Sequence, residues 1–169
     1  MTRAVLSVGS NLGDRLGHLR STVDGLGEAV TGVSGVYETA PWGGVDQDDY
    51  LNAVLLVDAP GVDAYGWLAR ARELETRAGR MREVRWGPRT LDVDVVDVDG
   101  VTSDDPELTL PHPGAHQRAF VLVPWLDVDP AAVLPGRGRV RDLLDGLAPA
   151  VRDGVRPRPD LALRAGSDR

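Results

Sequence analysis

The chain of 169 residues contains no cysteine and no lysine, and each absence excludes a class of chemistry. Without cysteine there is no disulfide, no thiolate nucleophile and no cysteine metal site. Without lysine there is no amine that could form a Schiff base, and all 19 basic residues are arginines. Every cationic contact to a phosphate group must therefore come from a planar, permanently charged guanidinium.

The sequence also lacks long apolar runs and an excess of positive charge. No apolar segment approaches the roughly 20 residues that span a bilayer as a helix, and the N-terminal stretch MTRAVLSVGS lacks the features of a signal peptide. The net charge of -7 argues against nucleic acid or an anionic membrane surface as a partner. We expect one cytoplasmic domain over residues 1–160 and a mobile tail over residues 161–169.

The hydrophobic pattern predicts a succession of strands and amphipathic helices. Their order is strand, helix, strand, strand, helix, strand, which is typical of the ferredoxin-like α/β (α+β) fold. Right-handed crossovers would place both helices on one face of an antiparallel sheet, and the final third would add further elements. The predicted strands are 4–8, 32–40, 50–58 and 91–96, and the predicted helices are 14–30, 64–78 and 140–147.

Two Asp-x-Asp pairs occur in the stretch RWGPRTLDVDVVDVDG. Residues two apart on a strand face the same side, so Asp92 and Asp94 are expected to place two carboxylates together. Such a pair suits one Mg²⁺ ion, or two ions about 3.5–4 Å apart, but a solvated strand face could carry the same residues. Asp97 and Asp99 have the same spacing, but Asp99-Gly100 is typical of a hairpin turn, which favours the first pair as the metal site.

An arginine-rich segment directly precedes the first pair. Its arginines are Arg80, Arg82, Arg85 and Arg89. A solvated loop could have this composition, but beside a metal site the same side chains suit a polyphosphate, which a guanidinium binds in bidentate geometry. The Trp-Gly-Pro turn within the segment combines a hinge with a stiff residue and predicts a lid.

Two further motifs and one helix residue are candidates for the site. His112 and Arg118 in LPHPGAHQRAF suit phosphate contacts, with a structural histidine as the alternative. Tyr50 and Asn52 in DYLNAV face one side of a strand, as stacking and edge hydrogen bonds to a flat heterocycle require, with ordinary packing as the alternative. Glu75 lies on the apolar stripe of the second helix and either pairs with an arginine or supports the site.

Five motifs together resemble those of the 6-hydroxymethyl-7,8-dihydropterin pyrophosphokinases. In chain order they are VGSNLGDR, ETAPWG, DYLNAV, RWGPRTLDVD and LPHPGAHQRAF, within residues 4–135. The resemblance implies a ferredoxin-like fold, a monomer, ATP, two Mg²⁺ ions and loops that close over the nucleotide. It also implies transfer of pyrophosphate from ATP to the hydroxymethyl oxygen of the pterin, with release of AMP, in folate biosynthesis.

The same resemblance implies a role for each site residue. The metal ligands would be Asp92 and Asp94, and the arginines that assist the transfer would be Arg80, Arg82 and Arg89. Contacts to ATP would come from Arg82, Trp86, Arg89, Val95, Thr109, His112 and Arg118. The pterin pocket would consist of Thr39, Trp42, Tyr50, Asn52 and Phe120. Glu75 would be a carboxylate of the second helix close to the site.

Two other functions would use the same features. Another metal-dependent nucleotidyl or phosphoryl enzyme on this fold would need the same carboxylates and arginines. A non-catalytic module that binds a metabolite would be consistent with a small ferredoxin-like domain. The pyrophosphokinase is our leading hypothesis, with small molecules as partners and neither nucleic acid nor membrane among them.

Overall fold

The computed structural model describes residues 2–41, 47–79 and 90–164. The order of its elements from β1 to β5 confirms the predicted succession. The strands are β1 (Thr2–Ser10), β2 (Val30–Val33), β3 (Tyr37–Thr39), β4 (Tyr50–Ala59), β5 (Asp92–Val98), β6 (Ser103–Asp105), β7 (Leu108–Leu110), β8 (Val133–Leu134), β9 (Gly138–Arg139) and β10 (Arg156–Pro157). The helices are α1 (Arg15–Leu26), α2 (Ala64–Arg77), α3 (Ala119–Val128), α4 (Val140–Asp145) and α5 (Pro149–Asp153).

The main sheet has six antiparallel strands in the order β10, β3, β4, β1 and β5, with β2 also paired to β4. This order confirms the predicted ferredoxin-like fold. The strand predicted over residues 32–40 is divided into β2 and β3. Between them, the Ser34 hydroxyl oxygen accepts a hydrogen bond from the backbone N–H of Val54 at 2.9 Å. A side-chain oxygen thus takes the place of a backbone carbonyl as the acceptor at this point.

Helices cover both faces of the sheet. On one face, α1 and α2 enclose a core that includes Leu6, Leu55 and Trp67, which is fully buried. On the other face, α3 and α4 pack with residues such as Val54 and Trp125. Helices α3 and α4 leave one end of that face uncovered, and the polar residues of β1, β4 and β5 lie at this end. Within the described ranges, no helix is long and apolar enough to cross a membrane.

Helix α3 was not predicted, because the segment around it contains four prolines. Pro124 lies inside the helix, where a proline removes one hydrogen bond and costs about 3 kcal/mol. Val121, Leu122 and Trp125 are each at most 3% exposed. Burial of three large side chains offsets the cost of the proline.

The C-terminal segment packs against the sheet and α1. Strand β10 pairs with β3, and Leu163 is 4% exposed in the first core. The carbonyl of Ala162 accepts a hydrogen bond from Arg20 Nε at 2.8 Å. Residues 161–164 of the predicted tail are therefore held against the domain, and residues 165–169 lie outside the described residues.

Candidate active site

Two rows of residues across the sheet form the floor of the site. Gly9 on β1 pairs with Asn52 on β4 and with Asp92 on β5, so these three residues lie side by side. In the next row, Ser7 on β1 lies beside Asp94 on β5. Neighbouring strands are about 4.8 Å apart, so the backbones of Asn52 and Asp92 lie about 10 Å apart. Gly9 lies between them and has no side chain to fill the space.

A first pocket of about 270 Å³ opens above this floor. Asn52 Nδ2 donates a hydrogen bond to Thr39 Oγ1 at 2.7 Å, and both side chains are buried. Tyr50 and Phe120 add aromatic rings, so the pocket suits a flat polar heterocycle. Its lining residues are Ser7, Gly9, Thr39, Ala40, Tyr50, Asn52, Asp92, Asp94, Gly114, Gln117, Arg118 and Phe120.

A second pocket of about 300 Å³ lies at the outer edge of β5, between α2 and residues 106–113. Across it, Arg72 and Glu107 form an ion pair at 2.8 Å. The pocket is more polar in character than the first, because charged side chains and His112 stand around it. Its lining residues are Leu68, Arg72, Glu75, Val93, Asp94, Val95, Pro106, Glu107, Leu108, Thr109, His112 and Pro113.

Asp94 lines both pockets and Asp92 lines the first, so a pair of carboxylates stands where the two pockets meet. Arg118 NH1 lies 3.8 Å from Asp94 Oδ2, and the Arg118 guanidinium lies 5.7 Å from the centre of the Phe120 ring. The arginine thus connects the carboxylates to the aromatic wall. Molecules bound in the two pockets would both border Asp94.

The carboxylate pair fits a magnesium ion by its donor set. In the described part of the chain, no three His, Asp or Glu side chains gather into a metal site made by protein alone. Mg²⁺ does not need one, since it is commonly bound by one or two carboxylates and completes its shell with water and substrate phosphates. Asp92 and Asp94, both half-buried at the junction, supply that set.

His112 is held as a neutral ring beside the second pocket. Burial first, and the Arg118 guanidinium second, lower the pKa of His112 to about 4, although Asp92 acts in the opposite direction. Its Nδ1 accepts the backbone N–H of Gly114 at 3.1 Å, so the neutral ring carries its proton on Nε2. His112 is therefore a hydrogen-bond donor without a charge of its own.

Glu75 supports the strand that carries the aspartates. Its side chain is 4% exposed, and Oε2 accepts the backbone N–H of Val93 at 2.9 Å. Strand β5 is at the edge of the sheet, so no further strand is present to accept a hydrogen bond from this N–H. The Glu75 carboxylate is the acceptor instead. The contact fixes the backbone between Asp92 and Asp94.

The structure brings together most of the residues selected from the sequence. The first pocket contains Thr39, Tyr50, Asn52, Asp92, Asp94, Arg118 and Phe120, and the second contains Glu75, Asp94, Val95, Thr109 and His112. Five predicted residues lie outside the described residues, namely Trp42, Arg80, Arg82, Trp86 and Arg89.

Ser7 and Gly9 line the site and were missed by sequence reasoning. The segment SVGSNLGD, which begins at Ser7, matches no phosphate-binding glycine pattern, so no phosphate-binding role was predicted for it. The signal that could have found them is the alternation along β1, where apolar Val5 is followed at two-residue steps by Ser7 and Gly9. Arg72 and Glu107 had no local signal as a pair, because they are 35 residues apart in the chain.

Two adjoining pockets with a carboxylate pair between them, on a ferredoxin-like sheet, suit an enzyme that transfers a phosphoryl group between two bound small molecules. The sequence matches the family model described as 7,8-dihydro-6-hydroxymethylpterin-pyrophosphokinase (HPPK) over residues 5–130. The chain belongs to this family.

Curated relatives named 2-amino-4-hydroxy-6-hydroxymethyldihydropteridine pyrophosphokinase agree with this membership. One from Mycobacterium tuberculosis (strain ATCC 25618 / H37Rv) is 54% identical over 98% of this chain and 95% of its own length. One from Mycobacterium leprae is 56% identical over 92% of this chain and 88% of its own. One from Bacillus subtilis is 37% identical over 74% of this chain and 77% of its own.

A solved structure of Plasmodium falciparum HPPK-DHPS with pteroate has a similar fold. Its TM-score is 0.65 at 14% sequence identity, and the match covers 84% of this chain. The chain spans 43% of the length of that protein. At this identity the likeness supports the fold alone, and the site rests on the residues described above.

Proposed function

We propose that the first pocket binds 6-hydroxymethyl-7,8-dihydropterin, that the second binds ATP, and that Asp92 and Asp94 hold two Mg²⁺ ions between them. As a member of its family, the chain is an ATP-dependent pyrophosphokinase of folate biosynthesis. It transfers pyrophosphate from ATP to the hydroxymethyl group of the pterin and releases AMP. The observation that carries the residue assignment is that Asp94 lines both pockets.

The pterin assignment follows from the walls of the first pocket. A pterin is flat, and its ring edge carries several hydrogen-bond donors and acceptors. Tyr50 and Phe120 supply aromatic surfaces for its faces, and Asn52 supplies an amide for its edge. Asn52 already donates to Thr39, so its carbonyl oxygen is oriented to accept. Trp42 is proposed as a further aromatic contact.

The transfer needs positioning and neutralisation of charge, because phosphoryl chemistry requires no covalent intermediate on the protein. Bound Mg²⁺ would neutralise negative charge on the phosphate oxygens and lower the pKa of the attacking hydroxyl. Asp92 and Asp94 would fix the position of that charge. His112 would donate its Nε2 proton to a phosphate oxygen, and Arg118 would add a permanent positive charge.

The remaining arginines are proposed to complete the ATP site. Arg80, Arg82 and Arg89 would stabilise the charge that develops on the transferred group, and Trp86 would contact the nucleotide. Val95 and Thr109 would line the nucleotide side of β5 and β7. Glu75 would act through the backbone of Val93 rather than on a substrate.

We also propose that the protein works as a monomer in the cytoplasm, where ATP is available. Light scattering at concentrations used for assay checks the mass against the 18.1 kDa of the chain. A dimer that dissociates with loss of activity would overturn this part of the proposal.

The test is a product analysis with the purified protein, ATP, Mg²⁺ and 6-hydroxymethyl-7,8-dihydropterin. We expect AMP to form in proportion to the pterin consumed, and no AMP to form when the pterin is omitted. Formation of ADP would indicate transfer of a single phosphoryl group and another enzyme of this class. Calorimetric binding of both substrates with no product would indicate a binding module.

A further inference from the structure

The edge of the pterin pocket is held by a segment from the other end of the chain. Strand β3 pairs with β4 so that Thr39 lies opposite Tyr50, and both line the first pocket. On its other side, β3 pairs with β10, with Arg156 opposite Glu38. We call residues 156–164 the C-terminal clasp. They lie beyond the family match, which ends at residue 130.

Glu38 is the residue of β3 to which the side chain of Arg158 in the clasp binds. Its Oε2 accepts from Arg15 NH1 at 2.7 Å and its Oε1 accepts from Arg158 NH1 at 2.9 Å. Both oxygens of one carboxylate are thus bound by arginines from opposite ends of the chain. The side chain is 16% exposed, so these bonds are only partly screened by water. The Arg15 hydrogen bond, followed by that of Arg158, holds the pKa of Glu38 below its usual range.

Arg15 and Arg156 hold the residue that precedes β4. Arg15 NH1 also donates to the carbonyl of Asp49 at 2.9 Å, and Arg156 NH2 lies 2.6 Å from Asp49 Oδ2. Asp49 is the immediate neighbour of Tyr50 in the pocket wall. The clasp therefore contacts β3 and the residue directly before β4, at the point where the two strands border the pocket.

The clasp itself is anchored on the domain. Arg158 Nε and NH2 bind the two oxygens of Asp160 at 3.0 and 2.8 Å, and its backbone N–H donates to Val36 at 2.8 Å. Leu163 is buried in the first core. Arg158 is consequently held in one orientation before it meets Glu38, which reduces the entropy lost in forming the contact.

We propose that Glu38 and Arg158 are positioning residues for the pterin subsite, which hold Thr39 and Tyr50 in the geometry that recognises the substrate. Neither side chain lines the first pocket, so they act through the strand pair and do not touch the pterin. The second pocket is built from α2, β5 and residues 106–113, and among the described residues no hydrogen bond or ion pair joins Arg156 or Arg158 to these elements. The proposal rests on the proposed function, since it concerns how one of its two substrates is bound.

The test is steady-state kinetics of Arg158→Met and Glu38→Gln in the full chain, with each substrate varied while the other is saturating. We expect the KM for the pterin to rise roughly five- to tenfold, because small displacements of binding groups weaken recognition. The KM for ATP should stay within about twofold, since its proposed pocket is remote from the clasp. Arg158→Lys should recover part of the loss, because a lysine keeps the charge but not the planar fork.

The matched control is Arg3→Met, which removes another arginine from an ion pair, with Asp99 at 3.3 Å, at the far end of β1. Thermal unfolding of each variant separates loss of fold from loss of substrate binding. The double variant Glu38→Gln with Arg158→Met should raise the pterin KM by less than the product of the single effects, because both remove one contact.

Two results would overturn the proposal. One is a pterin KM that stays unchanged in Arg158→Met and in Glu38→Gln, even if their unfolding temperature falls, since the clasp would then be structural alone. The other is an equal rise in both KM values. If the wild-type protein forms no AMP from ATP and the pterin, the proposed function fails instead, and fluorescence titration with the pterin still reports whether the clasp affects that pocket.

Discussion

The two Asp-x-Asp pairs, one within β5 and one at its C-terminal end, have the same spacing and entirely different surroundings. Asp92 and Asp94 stand in the floor of the site, beside Gly9 and Ser7 of β1. Asp97 is 7% exposed, and its Oδ1 has no hydrogen-bond partner among the described residues. Spacing along one strand therefore does not decide what a pair of carboxylates does.

A bulge between the pairs explains part of the difference. Leu6 pairs with Val95 but Val5 pairs with Asp97, so Val96 is an extra residue on β5. Residues that oppose each other in a ladder share a face. The bulge therefore brings Asp97 to the face of Val5, which α3 and α4 cover, whereas simple alternation from Asp94 would have turned it to the opposite face.

The neighbours across the sheet explain the rest. Ser7 and Gly9 are small and leave space above Asp92 and Asp94, which becomes the first pocket. Two residues earlier on β1, Val5 belongs to a packed apolar cluster. The same face of these strands therefore forms the site at one end and an apolar core at the other. The change from one to the other occurs on β1 between Val5, which is packed in the core, and the smaller Ser7 and Gly9.

The largest expected effect comes from removing the carboxylates of the first pair. Asp92→Ala or Asp94→Ala should lower kcat by about 10²- to 10⁴-fold, because charge stabilisation by a bound metal is worth several kcal/mol. Their unfolding temperatures should change little, since both side chains are half-buried at a pocket. Initial rates of AMP formation at several Mg²⁺ concentrations measure the effect.

Asp99→Ala is the control for both variants, because it removes a carboxylate of the second pair that is 58% exposed. Its rate should equal that of the wild type. A normal rate for either Asp92→Ala or Asp94→Ala in Mg²⁺ would contradict the metal assignment, and the site would have to be sought elsewhere.

A smaller effect is expected from closing the gap between Asn52 and Asp92. A Cβ at position 9 would lie 3.1 Å from Asn52 Oδ1 and 3.4 Å from Tyr50 Cδ1. Gly9→Ala should therefore raise the pterin KM about tenfold by displacing the amide that recognises the substrate. Gly32→Ala on β2, where the new Cβ would meet Leu56 Cδ1 at 3.4 Å, is the control. Equal pterin KM values for the two variants would argue against Gly9 as part of the site.

Much of the fold was predictable because its signals are local. The alternation in β5 placed Val93 and Val95 in the core and Asp92 and Asp94 on the other face, and burial bears this out. The turn prediction was right for Asp99-Gly100, since Gly100 has a positive φ of 73°. Asp97, in contrast, lies within β5, and the bulge that turns it towards α3 and α4 depends on the partner strand and leaves no pattern in one sequence.

The parts that escaped prediction depend on long-range contacts. Helix α3 forms despite Pro124 because the sheet offers it a face to cover. Arg158 meets Glu38 across 120 residues of sequence, and nothing near either residue indicates the other. In the site, Tyr50 and Asn52 could be selected from local alternation. The role of Gly9 could not be predicted in this way, because it depends on the position of Gly9 between Asn52 and Asp92 in the sheet.

The last expected effect concerns stability rather than activity and separates Asp97 from the first pair. Burial and the nearby Asp99 raise the pKa of Asp97 from 3.8 to about 6. The folded state therefore favours the neutral carboxyl, whose contribution is fully present below about pH 4 and is lost as the pH rises through 6. Asp97→Asn stays neutral throughout and should gain stability relative to the wild type across that interval, by about 3 kcal/mol at most.

Urea unfolding of both proteins from pH 4 to pH 7.5 measures this difference, and subtracting the two curves cancels the titration of the other carboxylates. The control is Asp104→Asn, the same substitution at an exposed residue of β6, which shows what the exchange itself does to stability. A constant difference for Asp97→Asn would mean that the buried carboxylate stays ionised in the fold. The second pair would then differ from the first by its location alone and not by its protonation.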